Sequence, residues 1–161
     1  MFQWKATAAV VGAVVLALIP MGLSKASGEQ KGTVTRTHGA IPWQKDFEQA
    51  RKIAAKQNKL LMVDFYAEWC GACKMMLQTT YRDRQVVRRA SDFVPLLVNV
   101  DVDEKQAKKR KTRSLSEQYQ VEGIPTVIFM DARGRVIARA EGYLDAREFL
   151  QLMERAKNGR S

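Results

Sequence analysis

Cysteine and histidine are scarce in this chain: its 161 residues include two cysteines, one histidine and four prolines. Two thiols cannot build the framework of bridges that staples many small secreted domains, so any single bridge is free to open and close without dismantling the fold. Two cysteines and the lone His38 also fall short of the four ligands of a structural zinc site, and no metal is expected. The chain has no glycine-rich phosphate loop and no dinucleotide fingerprint, which leaves proteins as the expected substrates. Acidic residues are in the minority, 17 against 27 Lys and Arg, for a formal charge of +10. Six of those cations fall in residues 105–113, where no aromatic side chain is present to stack a base, so no nucleic-acid partner is expected. The run is read as a solvated loop or helix face in preference to a patch for anionic lipid or an acidic partner.

What is present begins with an N-terminal segment of another kind. Lys5 opens it, residues 6–19 are apolar apart from Thr7, Pro20 and Gly22 interrupt, and Ser24 and Ala26 supply small residues at a cleavage point. Basic, then apolar, then small is the layout of a secretory signal. The run extended to Leu23 approaches the length of a membrane span, so residues 1–26 are expected to be a signal peptide or an anchor, with a membrane tether through residues 6–23 in the second case. Either alternative sends the rest across a membrane, in a bacterium to the periplasm. Residues 27–40 read as a linker, 41–157 as the folded domain and 158–161 as a tail.

Within the domain, Pro42 and the apolar series Trp43, Phe47, Ala50, Ile53 and Ala54 predict a first helix reaching Asn58. Residues 60–66 form a short apolar run suited to a buried central strand. It leads straight into Trp69-Cys70-Gly71-Ala72-Cys73-Lys74, with a helix starting at the motif. A turn or helix over 83–90, an apolar run over 93–102, the basic segment and a helix over 114–120 follow. Residues 126–130 and 136–140 predict a hairpin around Gly134, and Asp145 caps a last helix that buries Phe149, Leu150, Met153 and Ala156. Helices alternating with strands and then a hairpin imply an α/β fold, a mixed sheet with helices on both faces.

Two cysteines separated by two residues at the junction of a strand and a helix make a reversible thiol–disulfide switch. Cys70 lies at the helix start, where unpaired N–H groups and the dipole favour a thiolate, and is the expected nucleophile. Cys73, one turn along the same face, is the expected resolving thiol. Trp69, Gly71 and Ala72 are expected to meet the partner. The redox-active disulfide itself would be the only cofactor.

Residues 61–74, together with Val121-Glu122-Gly123-Ile124-Pro125-Thr126, resemble the active-site strand and the cis-proline segment of the thioredoxin superfamily, over roughly residues 41–157. Ala72 between the cysteines, the segment 83–87 and the closing stretch 142–149 are similar to the C-terminal thioredoxin-like domain of DsbD-type thiol:disulfide interchange proteins. The resemblance implies a three-layer thioredoxin-like sandwich that reduces protein disulfides and is recharged by an upstream thiol donor, for which a membrane protein of the DsbD type is the model. It casts Asp64 as the buried proton acceptor, and Pro125 as a cis residue beside the disulfide that leaves the Ile124 backbone free to pair with substrate. Two positions depart from the pattern: Leu97 stands where thioredoxin has a lysine facing the aspartate, and Leu77 where the DsbD domain has a glutamate.

Two other readings stay open at this level. One is a membrane-tethered reductant for cytochrome c maturation, whose relatives carry an insertion before the cis-proline that is not evident here. The other is a redox-inert interaction module on the same fold. An oxidant of the DsbA kind would need a helical domain between Cys73 and Pro125, and that segment is too short to hold one.

Overall fold

The computed structural model describes residues 40–159; the signal or anchor expected over 1–26 and the linker up to residue 39 lie outside them. The order is α1 (Phe47–Gln57), β1 (Leu61–Tyr66), α2 (Gly71–Gln78), a 3-10 turn (Thr80–Arg82), α3 (Arg84–Ala90), β2 (Val94–Asn99), α4 (Val100–Arg110), α5 (Leu115–Gln118), β3 (Thr126–Met130), β4 (Val136–Glu141) and α6 (Ala146–Asn158). The strands lie in the order β2-β1-β3-β4; β1 pairs parallel to β2 and antiparallel to β3, and β3 antiparallel to β4. This is the expected α/β sandwich around a mixed sheet. Among the described residues no helix is long and apolar enough to cross a membrane.

Side chains alternate across the central strands as the pleat requires. Met62, Tyr66, Leu97, Val127 and Phe129 face a layer that includes Met76, Val86, Phe149 and Leu152, so α2, α3 and α6 cover that side. Leu61, Val63, Phe65, Leu96, Ile128 and Met130 face Ala50 and Ala54 of α1, with Leu115 of α5 packed against the same cluster. Asp64, between Met62 and Tyr66 in the alternation, therefore belongs to the side carrying α2.

Three expectations need correcting. The first helix starts at Phe47 and not at Pro42, because the Asp46 carboxylate accepts the Gln49 N–H at 2.7 Å and caps it there. Residues 41–45 instead make a tight turn, with Trp43 N–H on the Ile41 carbonyl at 2.9 Å, and a single bridge beside β2: Gln44 N–H donates to the Pro95 carbonyl at 2.8 Å and Leu97 N–H to the Gln44 carbonyl at 3.0 Å. Trp43 consequently packs with Tyr81, ring centroids 5.1 Å apart, on the opposite side of the sheet from Ala50 and Ala54. The second correction is α4, which takes in the end of the apolar run and most of the basic segment. Asn99 caps it by accepting the Val102 N–H at 3.2 Å, Asp101 and Asp103 lie in its first turn, and Lys108, Lys109 and Arg110 in its last, each sign at the end where the dipole favours it. The third is in α6, where Leu152 takes the fully buried place expected of Leu150, which is only partly buried.

The remaining ends follow the sequence closely. Ser114 with Glu117 and Asp145 with Glu148 form capping boxes. In the β3–β4 turn Asp131 Oδ1 accepts the N–H groups of Arg133 and Arg135, and Gly134 sits at φ +90, where a Cβ would come within 2.8 Å of the Tyr119 hydroxyl.

Candidate active site

The site grows out of the junction between β1 and α2. Tyr66 ends the strand, Cys70 N–H closes a turn on the Ala67 carbonyl at 3.2 Å, and α2 begins at Gly71 with Cys70 as its N-cap. In that place a serine or aspartate oxygen would ordinarily receive an orphan amide. Here the Cys70 sulfur does so, accepting the Cys73 N–H at 3.1 Å. The same two residues are joined by a disulfide, with Cα atoms 5.3 Å apart. A sulfur that receives an amide and faces the positive end of a helix is stabilised as an anion, so the geometry favours a Cys70 thiolate when the bond opens.

Both cysteines are nearly covered, Cys70 at 5% and Cys73 at 2% exposure, so the pair is no open thiol surface. Part of the cover comes from the loop before β3. The Ile124–Pro125 peptide is cis, Pro125 is buried, and the Ile124 carbonyl oxygen lies 3.7 Å from the Cys70 sulfur. Gly142 N–H donates to the Pro125 carbonyl at 2.8 Å and ties this loop to the end of β4. Gly71 is exposed and Ala72 partly so. Trp69 is 68% exposed, with its indole N–H donating to Asp101 Oδ2 at 3.0 Å. It lies at the rim and not in the core. Glu68 is exposed and accepts from the Tyr66 hydroxyl at 3.3 Å.

Asp64 is 2% exposed. Its neighbours across the sheet are Leu97 on β2 and Val127 on β3, both apolar, so no cation faces it from either strand. Burial pushes its pKa from 3.8 up to about 7, and the nearby Tyr81 hydroxyl draws it only part of the way back. Neither Asp64 Oδ1 nor the Tyr81 hydroxyl has a hydrogen-bond partner among the described residues. Burial holds the Tyr81 phenol well above its usual range, so it keeps its proton. The result is a carboxyl able to take or give a proton near neutral pH, on the face of the sheet that also holds Cys70, Cys73 and Tyr81. Leu77 on α2 packs partly buried against the same core.

Sequence reasoning missed two contributors. Tyr81 sits in the polar stretch Thr79-Thr80-Tyr81-Arg82, which has no apolar periodicity to mark it as core. Asp101 lies 32 residues from the tryptophan it holds, a pairing only the return of the chain through β2 creates. Among the described residues no group of three or more His, Cys, Asp or Glu side chains is gathered for a metal ion, and His38 lies outside them.

With this geometry in place, comparison with known proteins is informative. A thioredoxin-like domain family profile matches residues 47–157. The chain is 36% identical over 115 residues to the thiol:disulfide interchange protein DsbD of Vibrio vulnificus, covering 70% of this chain and 18% of that protein. It is 37% identical over 109 residues to the DsbD of Photorhabdus laumondii, covering 66% of this chain and 18% of that one. The chain thus spans under a fifth of the length of these relatives. The solution structure of a thioredoxin from Thermus thermophilus superposes with a TM-score of 0.61 at 26% identity, covering 73% of this chain and 88% of that one.

Proposed function

The chain belongs to the thioredoxin-like domain family, and from that premise we propose that it is an exported thiol:disulfide oxidoreductase that reduces disulfides in other proteins. One observation carries the reading: Cys70 caps α2 with its own sulfur while bonded to Cys73, which puts a stabilised leaving and attacking group at a helix start.

In the reducing direction the Cys70 thiolate attacks a sulfur of the partner's disulfide. A mixed disulfide forms, and the partner's other sulfur leaves as a thiolate and takes a proton from solvent. Asp64 in its ionised form accepts the Cys73 proton. The Cys73 thiolate then attacks Cys70, the Cys70–Cys73 bond re-forms, and the partner departs reduced. Two electrons have moved from the Cys70/Cys73 pair to the substrate. An upstream thiol donor must return them, and a membrane protein of the DsbD type has the matching chemistry. Trp69, Gly71 and Ala72, next to the cysteines in the chain, and the Ile124 backbone, whose carbonyl lies 3.7 Å from the Cys70 sulfur, are the surface a substrate segment would meet. Export to the periplasm, with or without a tether through residues 6–23, is supported by the layout of residues 1–26.

The test is the equilibrium potential of the Cys70/Cys73 couple, by titration against glutathione and dithiothreitol. A value near the roughly −270 mV of thioredoxin supports a reductant, and one near the roughly −120 mV of DsbA supports an oxidant. Absence of a reversible two-electron couple would overturn the enzyme reading.

A further inference from the structure

The phenol of Tyr81 is buried for no reason that packing supplies. It sits in the 3-10 turn directly after α2, is fully covered, and its hydroxyl has no partner in hydrogen-bond geometry among the described residues. Phenylalanine would fill the same space without taking a hydroxyl out of water, so a hydroxyl here calls for a role. The ring is fixed from several sides. Trp43 and Phe149 pack on it in T-shaped contacts, with centroids at 5.1 and 5.3 Å. Its backbone turn is held by Arg82 N–H on the Thr79 carbonyl at 3.0 Å and by the Thr80 hydroxyl on the Leu144 carbonyl at 2.6 Å.

A second orphan lies on the same face of the sheet. Asp64 Oδ1 is likewise buried without a hydrogen-bond partner, and the Tyr81 hydroxyl stands close enough to act on its charge. The elements packed around Asp64 offer it no cation. Leu97 of β2 and Val127 of β3 flank it in register, and Met76 of α2, Val86 of α3 and Phe149 of α6 are apolar. The other titratable groups in that buried layer are Cys70, Cys73 and Tyr66, and the Tyr66 hydroxyl is engaged by Glu68 and Asn99. No lysine, arginine, histidine or glutamate belongs to the cluster.

We propose that Tyr81 is a positioning residue of the resolving step: its phenol O–H donates to the Asp64 carboxylate and sets how readily that carboxylate takes the proton of Cys73. The proposal rests on the oxidoreductase reading above and adds a residue to the same site. A phenol is both donor and acceptor, so it serves the acid in both of its states. It donates to the carboxylate before the transfer, and afterwards its oxygen can accept from the carboxyl O–H. In the transfer the Cys73 S–H bond breaks and the Asp64 O–H bond forms. The phenol keeps its own proton throughout, because burial holds it well above its usual range. A cation in this place would favour the ionised acid far more strongly and leave a poor base at neutral pH. The neutral donor offsets burial only in part, and Asp64 stays at about 7.

The test is Tyr81→Phe, which removes the hydroxyl and keeps the ring. The reduced full chain in non-ionic detergent is mixed with excess disulfide-cyclised peptide, and stopped-flow fluorescence gives the plateau rate, at which the first-order resolving step is limiting. In wild type that rate should rise with pH around a midpoint of about 7. Losing a hydrogen bond to a charged group should move the midpoint up by about one pH unit. The variant would then be about 10-fold slower near pH 6 and converge on wild type by about pH 9. Replacing Tyr81 with 3-fluorotyrosine, a more acidic phenol and a stronger donor, should move the midpoint down. In an Asp64→Asn background neither change should shift the profile. A superimposable profile, a loss by the same factor at every pH, or a shift that survives Asp64→Asn overturns the proposal. A side-chain carboxyl NMR titration of the oxidised protein separates the two layers of the reading. An Asp64 pKa that rises in Tyr81→Phe while no peptide is reduced leaves the pair standing and sinks the oxidoreductase function. Peptide reduction with an unmoved Asp64 titration does the reverse.

Discussion

Replacing Asp64 with asparagine should make the oxidised protein's stability far less sensitive to pH, and the size of the change follows from where the carboxyl sits. With Leu97 and Val127 beside it and 2% exposure, the acid holds its proton to about pH 7, whereas in the unfolded chain it ionises near 3.8. Below about pH 3.8 both states are protonated and the burial carries no ionisation penalty. Between 3.8 and about 7 the unfolded chain releases the proton and the fold retains it, so stability falls as pH rises. Above about 7 the penalty is complete. At about 1.4 kcal/mol per pH unit it amounts to about 4 kcal/mol. Asparagine removes the titration but keeps the shape and a buried polar group, so any fixed cost of the amide is the same at every pH. The measurement is urea unfolding of oxidised wild type and Asp64→Asn from pH 3.5 to 8.5. With a slope of about 2 kcal/mol/M, the midpoint of the variant relative to wild type should climb by about 2 M across that range. Curves that stay parallel would refute the reasoning, because they would mean that Asp64 ionises in the fold as freely as in the unfolded chain.

Other outcomes follow from the same contacts. Cys73→Ser should accumulate a covalent complex with a disulfide substrate, visible by mass spectrometry and released by dithiothreitol, whereas Cys70→Ser should form none. Leu97→Lys places a cation in register with Asp64, so the carboxyl's pKa should fall and the pH window of stability loss should narrow from its upper end; a side-chain carboxyl NMR titration checks it. Asp46→Ala removes the acceptor of the Gln49 N–H and should lower stability by about 1 kcal/mol, read from the urea midpoint.

The stretch from residue 61 to 74 was legible because several signals agree there. An apolar run this short, broken only by Asp64, suits a buried strand, and the cysteine pair marks where it turns into a helix. The last helix and the hairpin were equally open to reading, since Asp145, Gly134 and the alternation around them leave few options. Residues 41–45 were not, because the backbone bonds of Gln44 to β2 come from a strand some 50 residues later and leave no local pattern. Helix α4 escaped for another reason: of its side chains only Ala107 is buried, so it lacks an apolar stripe and is defined by its cap and by the order of its charges. At the site, residue types and spacing pointed to Cys70 and Cys73, and family resemblance supplied Asp64 and Pro125. Tyr81 and Asp101 became visible only when distant segments met.

The bridge that Gln44 makes to β2 has a bearing on how this chain is kept from sticking to others. Strand β2 reads Val-Pro-Leu-Leu-Val-Asn, is buried on both faces over most of its length and has β1 on one flank only. Its other flank would offer free N–H and C=O groups along an apolar ribbon, the kind of edge onto which a second chain can add. Gln44 occupies the middle of that flank through the Pro95 carbonyl and the Leu97 amide, and Pro95 itself has no N–H to offer. A truncated form beginning after residue 45 would keep every catalytic side chain and expose this ribbon, with aggregation as its expected failing; for work on the isolated domain, the boundary belongs ahead of Ile41.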